Sequence, residues 1–203
     1  MKTFILDPGH GNGTSRKRGA SSRWCVEREA VLDVCHMVAE MLADAGVATH
    51  VAPDVPYHKR WHGLPADGVL SVHMDVQSAQ WDPYALALTM PHEPEGDRLA
   101  MDVLHALGQL PETPRAILGS WETGKPNGTA LAITERRKGY RLQRMAWEGE
   151  GQVCLSSYPS DMPRALVEVA SVGHPKHREL VTTGRRRIAE AVAAGVLAFL
   201  GGS

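Results

Sequence analysis

The chain is short of cysteine, of net charge and of long apolar runs, and each shortage removes a class of function. Three cysteines occur among 203 residues, at positions 25, 35 and 154. Their number is odd and no Cys-x-x-Cys pair is present, so reduced, structural thiols are the plain reading. Cys25 and Cys35 would stand roughly 15 Å apart on one helix at 1.5 Å per residue, beyond the reach of a disulfide. The net charge of −1 offers polyanions no attraction, and nucleic acid is not an expected partner. No apolar run has membrane-spanning length, so membrane insertion is not expected. Repeats, low-complexity tracts and linkers are also missing. The ten histidines form no tract; His36, His50, His58, His62, His92, His105 and His177 read as solvated or core-edge residues. His174 differs, because it follows an acidic residue in an apolar run closely enough to share a cleft with it.

What is present is an alternation of helical and strand patterns. Val31, Val34, Val38, Met41 or Leu42, and Ala45 recur at helical steps, predicting a helix over 23–45. Ser21 or Ser22 is a candidate cap for its start and Gly46 a candidate stop. Val47–Val51 then reads as a strand, giving a unit of the parallel-sheet kind. Leu99, Val103, Leu107 and Leu110 mark a second helix closed by Pro111, and Ile188, Val192, Val196 and Phe199 a last one over 183–200. Arg185-Arg186-Arg187 at the start of that helix read as a solvated face, with attraction to anionic polymers as an alternative. Further strands are expected at Ala85–Met90, Ala116–Gly119, Thr129–Thr134 and Val153–Ser156, with a hairpin hinted at by Asn127-Gly128. The expectation is one α/β domain over residues 1–203: a mixed, mainly parallel twisted sheet of about six strands, with helices on both faces.

Three apolar runs end in a polar residue able to bind a ligand. Phe4-Ile5-Leu6-Asp7-Pro8-Gly9-His10-Gly11 breaks from a strand into a turn that presents a histidine. Val69-Leu70-Ser71-Val72-His73 repeats the arrangement, and Ala165-Leu166-Val167-Glu168 does so with a carboxylate. A glutamate within an apolar run asks for a cation or a chemical task, because ionised carboxylates are seldom buried alone. Open α/β sheets place their sites at the carboxyl ends of strands, where these residues would converge.

These pieces, in this order, resemble the zinc-dependent N-acetylmuramoyl-L-alanine amidases of the cell-wall hydrolase family called Amidase_3. The resemblance rests on Leu6-Asp7-Pro8-Gly9-His10-Gly11, on Glu27 five residues ahead of Leu32, on Leu70-Ser71-Val72-His73, and on Met162-Pro163-Arg164-Ala165-Leu166-Val167-Glu168. It spans residues 3–200. It implies one Zn²⁺ per chain on His10, Glu27 and His73, with Glu168 as the catalytic carboxylate. Glu29 is a rival to Glu27, and a solvated first-turn charge is the alternative for either. Arg60 and His174 are further candidates for contact with substrate.

The chain also departs from the family. Ala170-Ser171 and then His174 follow Glu168 where these enzymes tend to show Gly-Phe and then Asn. The connection after Arg60 is shorter, and residues 119–158 have no counterpart. The resemblance implies metal-assisted hydrolysis of the amide between N-acetylmuramic acid and L-alanine in peptidoglycan. A zinc peptidase cutting within the stem peptide uses the same groups, and a non-catalytic wall-binding module is the reading from another class. The first strand begins almost at residue 3, so no signal peptide is expected, nor a separate cell-wall-binding domain. Together these favour a phage endolysin acting on the wall after release, against a host enzyme exported by a route not visible in the sequence. Oligomeric state is not legible.

Overall fold

A computed structural model describes residues 1–10, 19–53, 55, 60, 61, 63–77, 79, 80, 82–90, 93–113, 115–120, 136, 137, 140–146 and 155–202. In chain order the elements are β1 (Thr3–Pro8), α1 (Glu27–Asp44), β2 (Ala48–Val51), β3 (Gly68–Asp75), β4 (Tyr84–Thr89), α2 (Pro94–Leu107), β5 (Arg115–Ser120), β6 (Arg136–Arg137), β7 (Tyr140–Ala146) and β8 (Arg164–Ser171). A 3₁₀ turn (Pro175–His177) and the helices α3 (Arg178–Thr182) and α4 (Arg185–Gly201) complete them. The strands form one sheet in the order β2-β1-β3-β8-β4-β5-β7-β6. The first four in that order are mutually parallel, as are β4, β5 and β7. Antiparallel pairing joins β8 to β4 and β6 to β7. The sheet is thus mixed and mainly parallel, as expected. Six strands form its body, and β7 with the two-residue β6 extends one edge.

Alternation along the strands divides the sheet into two faces. Phe4, Leu6, Leu70, Val72, Ala165 and Val167 belong to a large core shared with α1, α2 and α4. Ile5 and Val69 pack on the other side with Tyr158 and Met162, and Leu86, Leu88 and Leu166 with Leu155, itself in a helical turn. The three long helices therefore crowd one face, and the 155–162 segment covers part of the other. By the same alternation Asp7, Ser71, His73 and Glu168 point to this second, less covered face. That is where the site lies.

Local boundaries follow the sequence with instructive shifts. The first helix starts at Glu27, not at residue 23, because Ser21 bridges Val26 and Ser22 Oγ accepts from the amides of Trp24 and Cys25, turning the chain just before the helix. Gly46, at φ 79°, stops it as expected, with its amide and that of Val47 returning to the last-turn carbonyls of Ala43 and Leu42. The second helix begins on Pro94 and ends before Leu110. The strand read over Val153–Ser156 is not formed at its end: Leu155 and Ser156 are helical, while Val153 and Cys154 lie outside the described residues. Thr129–Thr134 and the Asn127-Gly128 hairpin also lie outside them. Cys25 and Cys35 are free, buried thiols. Arg185, Arg186 and Arg187 are each engaged, with Asp33, Glu190 and Glu112, rather than left as a bare basic face. Among the described residues no helix is long and apolar enough to cross a membrane.

Candidate functional site

The end of β1 presents His10 on a constrained turn. The Gly9 amide donates to Val72 O at 2.8 Å, continuing the pairing with β3, and the next residue turns into the left-handed region at φ 55°. A histidine there is uncommon and points to over-determination by its surroundings. Gly9 permits the close approach: a Cβ at this position would lie 2.6 Å from His73 Nδ1. Gly19 plays the same part opposite, since a Cβ there would lie 2.4 Å from Glu27 Oε2.

Glu27 is the first residue of α1 and is 2% exposed. Its Oε2 accepts from the Ala20 amide at 2.6 Å and its Oε1 from the Met74 amide at 3.0 Å. The same two oxygens stand 3.4 Å from His10 Nε2 and 3.2 Å from His73 Nδ1. One donor atom from each of His10, Glu27 and His73 can be chosen so that all lie within 4.8 Å of one another. Burial opposes ionisation of Glu27, but the hydrogen bond and charge of His73, then His10 and the Met74 amide, hold its carboxyl below the usual value. Glu29, its rival from the sequence, is exposed and outside the cluster.

Glu168 sits beside this cluster, because β3 and β8 run parallel with His73 and Glu168 as register partners. Its Oε2 is sequestered and makes no hydrogen bond among the described residues. Burial pushes its carboxyl up to about 8, with His73 opposing and the charges of Asp75 and Glu27 adding to the rise. Sequence reasoning missed Asp75. A bulge follows His73, so Asp75 pairs with Ser171, and its Oδ2 accepts from Gln77 Nε2 at 3.1 Å. Burial pushes it up to about 7. The apolar pattern could have flagged it, since Asp75 ends the same run as His73.

The raised carboxyls give a pH expectation for the metal-free protein. A folded-state pKa above the unfolded value contributes stability that is complete below the unfolded value and is lost as pH rises through the folded one. His177, pushed down to about 4 from 6.5 by burial, opposes this trend only below its unfolded value. Between pH 6.5 and about 8 the metal-free protein should therefore lose stability on alkalisation. One proton accounts for at most about 1.4 kcal/mol per pH unit. Thermal unfolding across this range, with Glu168→Gln flattening the profile, checks it; identical profiles for the two proteins would contradict the assignment.

Two other candidates are taken up by the fold. The Arg60 side chain is fully buried, pairs with Asp7, and donates to Pro8 O at 2.9 Å and Val55 O at 3.0 Å, so it does not face a cleft. His174 is 2% exposed and caps the 3₁₀ turn, its Nδ1 accepting from the Lys176 amide at 3.2 Å. Its neighbour His177 accepts from the Ser171 amide at 2.9 Å, and its other ring nitrogen lies 2.9 Å from Glu112 O, fixing β8 to the α2–β5 connection.

No family model and no curated protein matches the chain. Solved structures do. The CwlD amidase from Clostridioides difficile, determined in complex with the GerS lipoprotein, superposes with a TM-score of 0.72 at 15% identity, covering 100% of both chains. The N-acetylmuramyl-L-alanine amidase Ami1 from Mycobacterium smegmatis gives 0.71 at 18% identity, over 100% of this chain and 98% of that one. The catalytic domain of the CD27L endolysin, which targets Clostridia difficile, gives 0.61 at 13% identity over 98% of each. At such identities the likeness speaks for architecture alone: the chain has the fold of these two amidases and of this endolysin domain.

Proposed function

We propose that the protein is a zinc-dependent N-acetylmuramoyl-L-alanine amidase, hydrolysing the amide between N-acetylmuramic acid and the L-alanine of the stem peptide. The observation that carries this reading is the convergence of His10, Glu27 and His73, with Glu168 as the register neighbour of His73, on the fold just described. The donor set fits zinc. Two imidazole nitrogens and one carboxylate leave a fourth position open, as a catalytic site requires, and ligands at 2.0–2.1 Å from a tetrahedral ion stand roughly 3.3 Å apart. Glu27 meets His10 through Oε2 at 3.4 Å and His73 through Oε1 at 3.2 Å, each near that spacing, and one donor atom from each residue lies within 4.8 Å of the other two. The Ala20 and Met74 amides orient Glu27 as outer partners orient metal ligands elsewhere.

When bound, zinc supplies a Lewis acid that acidifies water and polarises a carbonyl. Glu168 takes a proton from the attacking water and delivers it to the departing amine. Its high metal-free pKa is consistent with this role, because a cation nearby favours the ionised form and readies the group as a base. A wall-binding module without catalysis has no use for a sequestered carboxylate in this position. Peptidoglycan is the partner in this reading, and the site requires neither nucleic acid nor a membrane.

Digestion of purified peptidoglycan tests the bond. Intact stem peptides with a free N-terminal L-alanine, and no new reducing sugar ends, are expected by mass analysis of the released fragments. Peptides still joined to muramic acid but cut between their own residues would establish the peptidase instead. New reducing ends would overturn amide chemistry altogether.

A further inference from the structure

The Asp7–Arg60 pair lies beneath the site, and its energetics are unusual. Both side chains are fully buried, and two charges taken from water recover their desolvation only with good geometry. Apolar residues of similar volume often stabilise a fold as well or better. Stability alone is therefore a poor reason for the pair, and its connections suggest another. The guanidinium binds the Asp7 carboxylate, and the same Nη1 donates to the carbonyl of Pro8 at 2.9 Å. Its Nε donates to Val55 O at 3.0 Å, in the connection between β2 and β3. Pro8 is followed by Gly9, which is bonded to Val72 and packed under the His73 ring, and then by His10 in its left-handed conformation. One planar group thus fastens the last two residues of β1 to a separate segment, just before the turn that aims His10 at Glu27.

We propose that Arg60 is a positioning residue for metal binding: through the Pro8 carbonyl and Asp7 it holds the Pro8-Gly9-His10 turn in the conformation that lets His10 join Glu27 and His73. The role is indirect, since a fully buried guanidinium touches neither substrate nor metal. Lysine does not replace it, because a single ammonium is a point charge without the fork that reaches three acceptors. The inference rests on the metal reading above.

The test is equilibrium Zn²⁺ binding to purified metal-free protein, by competition with a chromophoric chelator, beside thermal unfolding of the same samples. Arg60→Lys keeps the charge beside Asp7. The double variant Asp7→Leu with Arg60→Met removes both charges and leaves no unpaired ion. The double variant is expected to unfold at or near the wild-type temperature yet bind Zn²⁺ ten- to a hundredfold more weakly, the range for lost outer partners of a metal site. Arg60→Lys should fall between it and the wild type, and both should lose kcat with little change in KM. Folded variants with wild-type zinc affinity would overturn the proposal, as would a raised KM at full kcat and full affinity. Failure of both variants to fold would reduce Arg60 to a stability element and overturn it equally. If the wild type itself binds no zinc, the metal reading fails instead, so the two failures are distinguishable.

Discussion

Stripping the purified protein with a strong chelator is expected to abolish release of peptides from peptidoglycan, and one equivalent of Zn²⁺ per chain to restore it. Three protein ligands leave the ion exchangeable, whereas a closed four-ligand site would resist. His10→Ala and His73→Ala should each lose both metal and turnover, because His10 comes from a turn and His73 from a strand, and neither has a substitute within the cluster. Glu27→Ala should weaken metal retention further by freeing the Ala20 and Met74 amides from their shared acceptor. Exposed Glu29, replaced by alanine, should change little. Metal analysis beside a turbidity assay of wall lysis checks all four. Full activity in a demonstrably metal-free preparation would end the proposed mechanism.

Glu168→Ala is expected to separate binding from chemistry. The residue lies next to His73 across the β3–β8 pairing but is outside the three-donor cluster. Zinc should therefore stay near one equivalent while kcat falls at least about a hundredfold, the lower end for a missing general base. The metal-free variant should also be more stable than wild type above pH 6.5, because the carboxyl held up to about 8 is gone. Loss of zinc together with activity would make Glu168 a ligand and remove the base from the scheme.

His10, His73 and Glu168 were legible because each closes an apolar run, and burial of such a residue is costly without a task, whereas Glu27 came only from the family resemblance. The resemblance put Glu27 ahead of Glu29, but the physical difference between them lies in the fold. Both sit in the first turn of α1, and only the bridge between Ser21 and Val26 turns the chain so that Ala20 and Met74 meet the former. Asp75 also ends the run of His73 and could have been flagged by it; only its register against Ser171, set by a bulge, has no local signature. Arg60 was read as a candidate for contact with substrate because its buried partner, Asp7, lies 53 positions away in the chain and no local pattern joins the two. The strands β6 and β7 were missed for a related reason. Arg141, Gln143 and Arg144 interrupt Tyr140–Ala146, which therefore lacks the apolar run by which the body strands were found.

The place of β8 in the sheet bears on how the molecule comes into being. It is the last strand to be synthesised, yet it lies between β3 and β4. Until it inserts, β2-β1-β3 on one side and β4-β5 on the other share no border. Closure of the sheet must wait for a segment about a hundred residues downstream of β3, and pairing across such separations is slow. His10, Glu27 and His73 all lie within the first 73 of the 203 residues, whereas Glu168 arrives only with the closing strand. A nascent chain can thus gather the three clustered donors early but gains the neighbouring carboxylate at the final assembly step, so the candidate site stays incomplete until the protein is nearly finished.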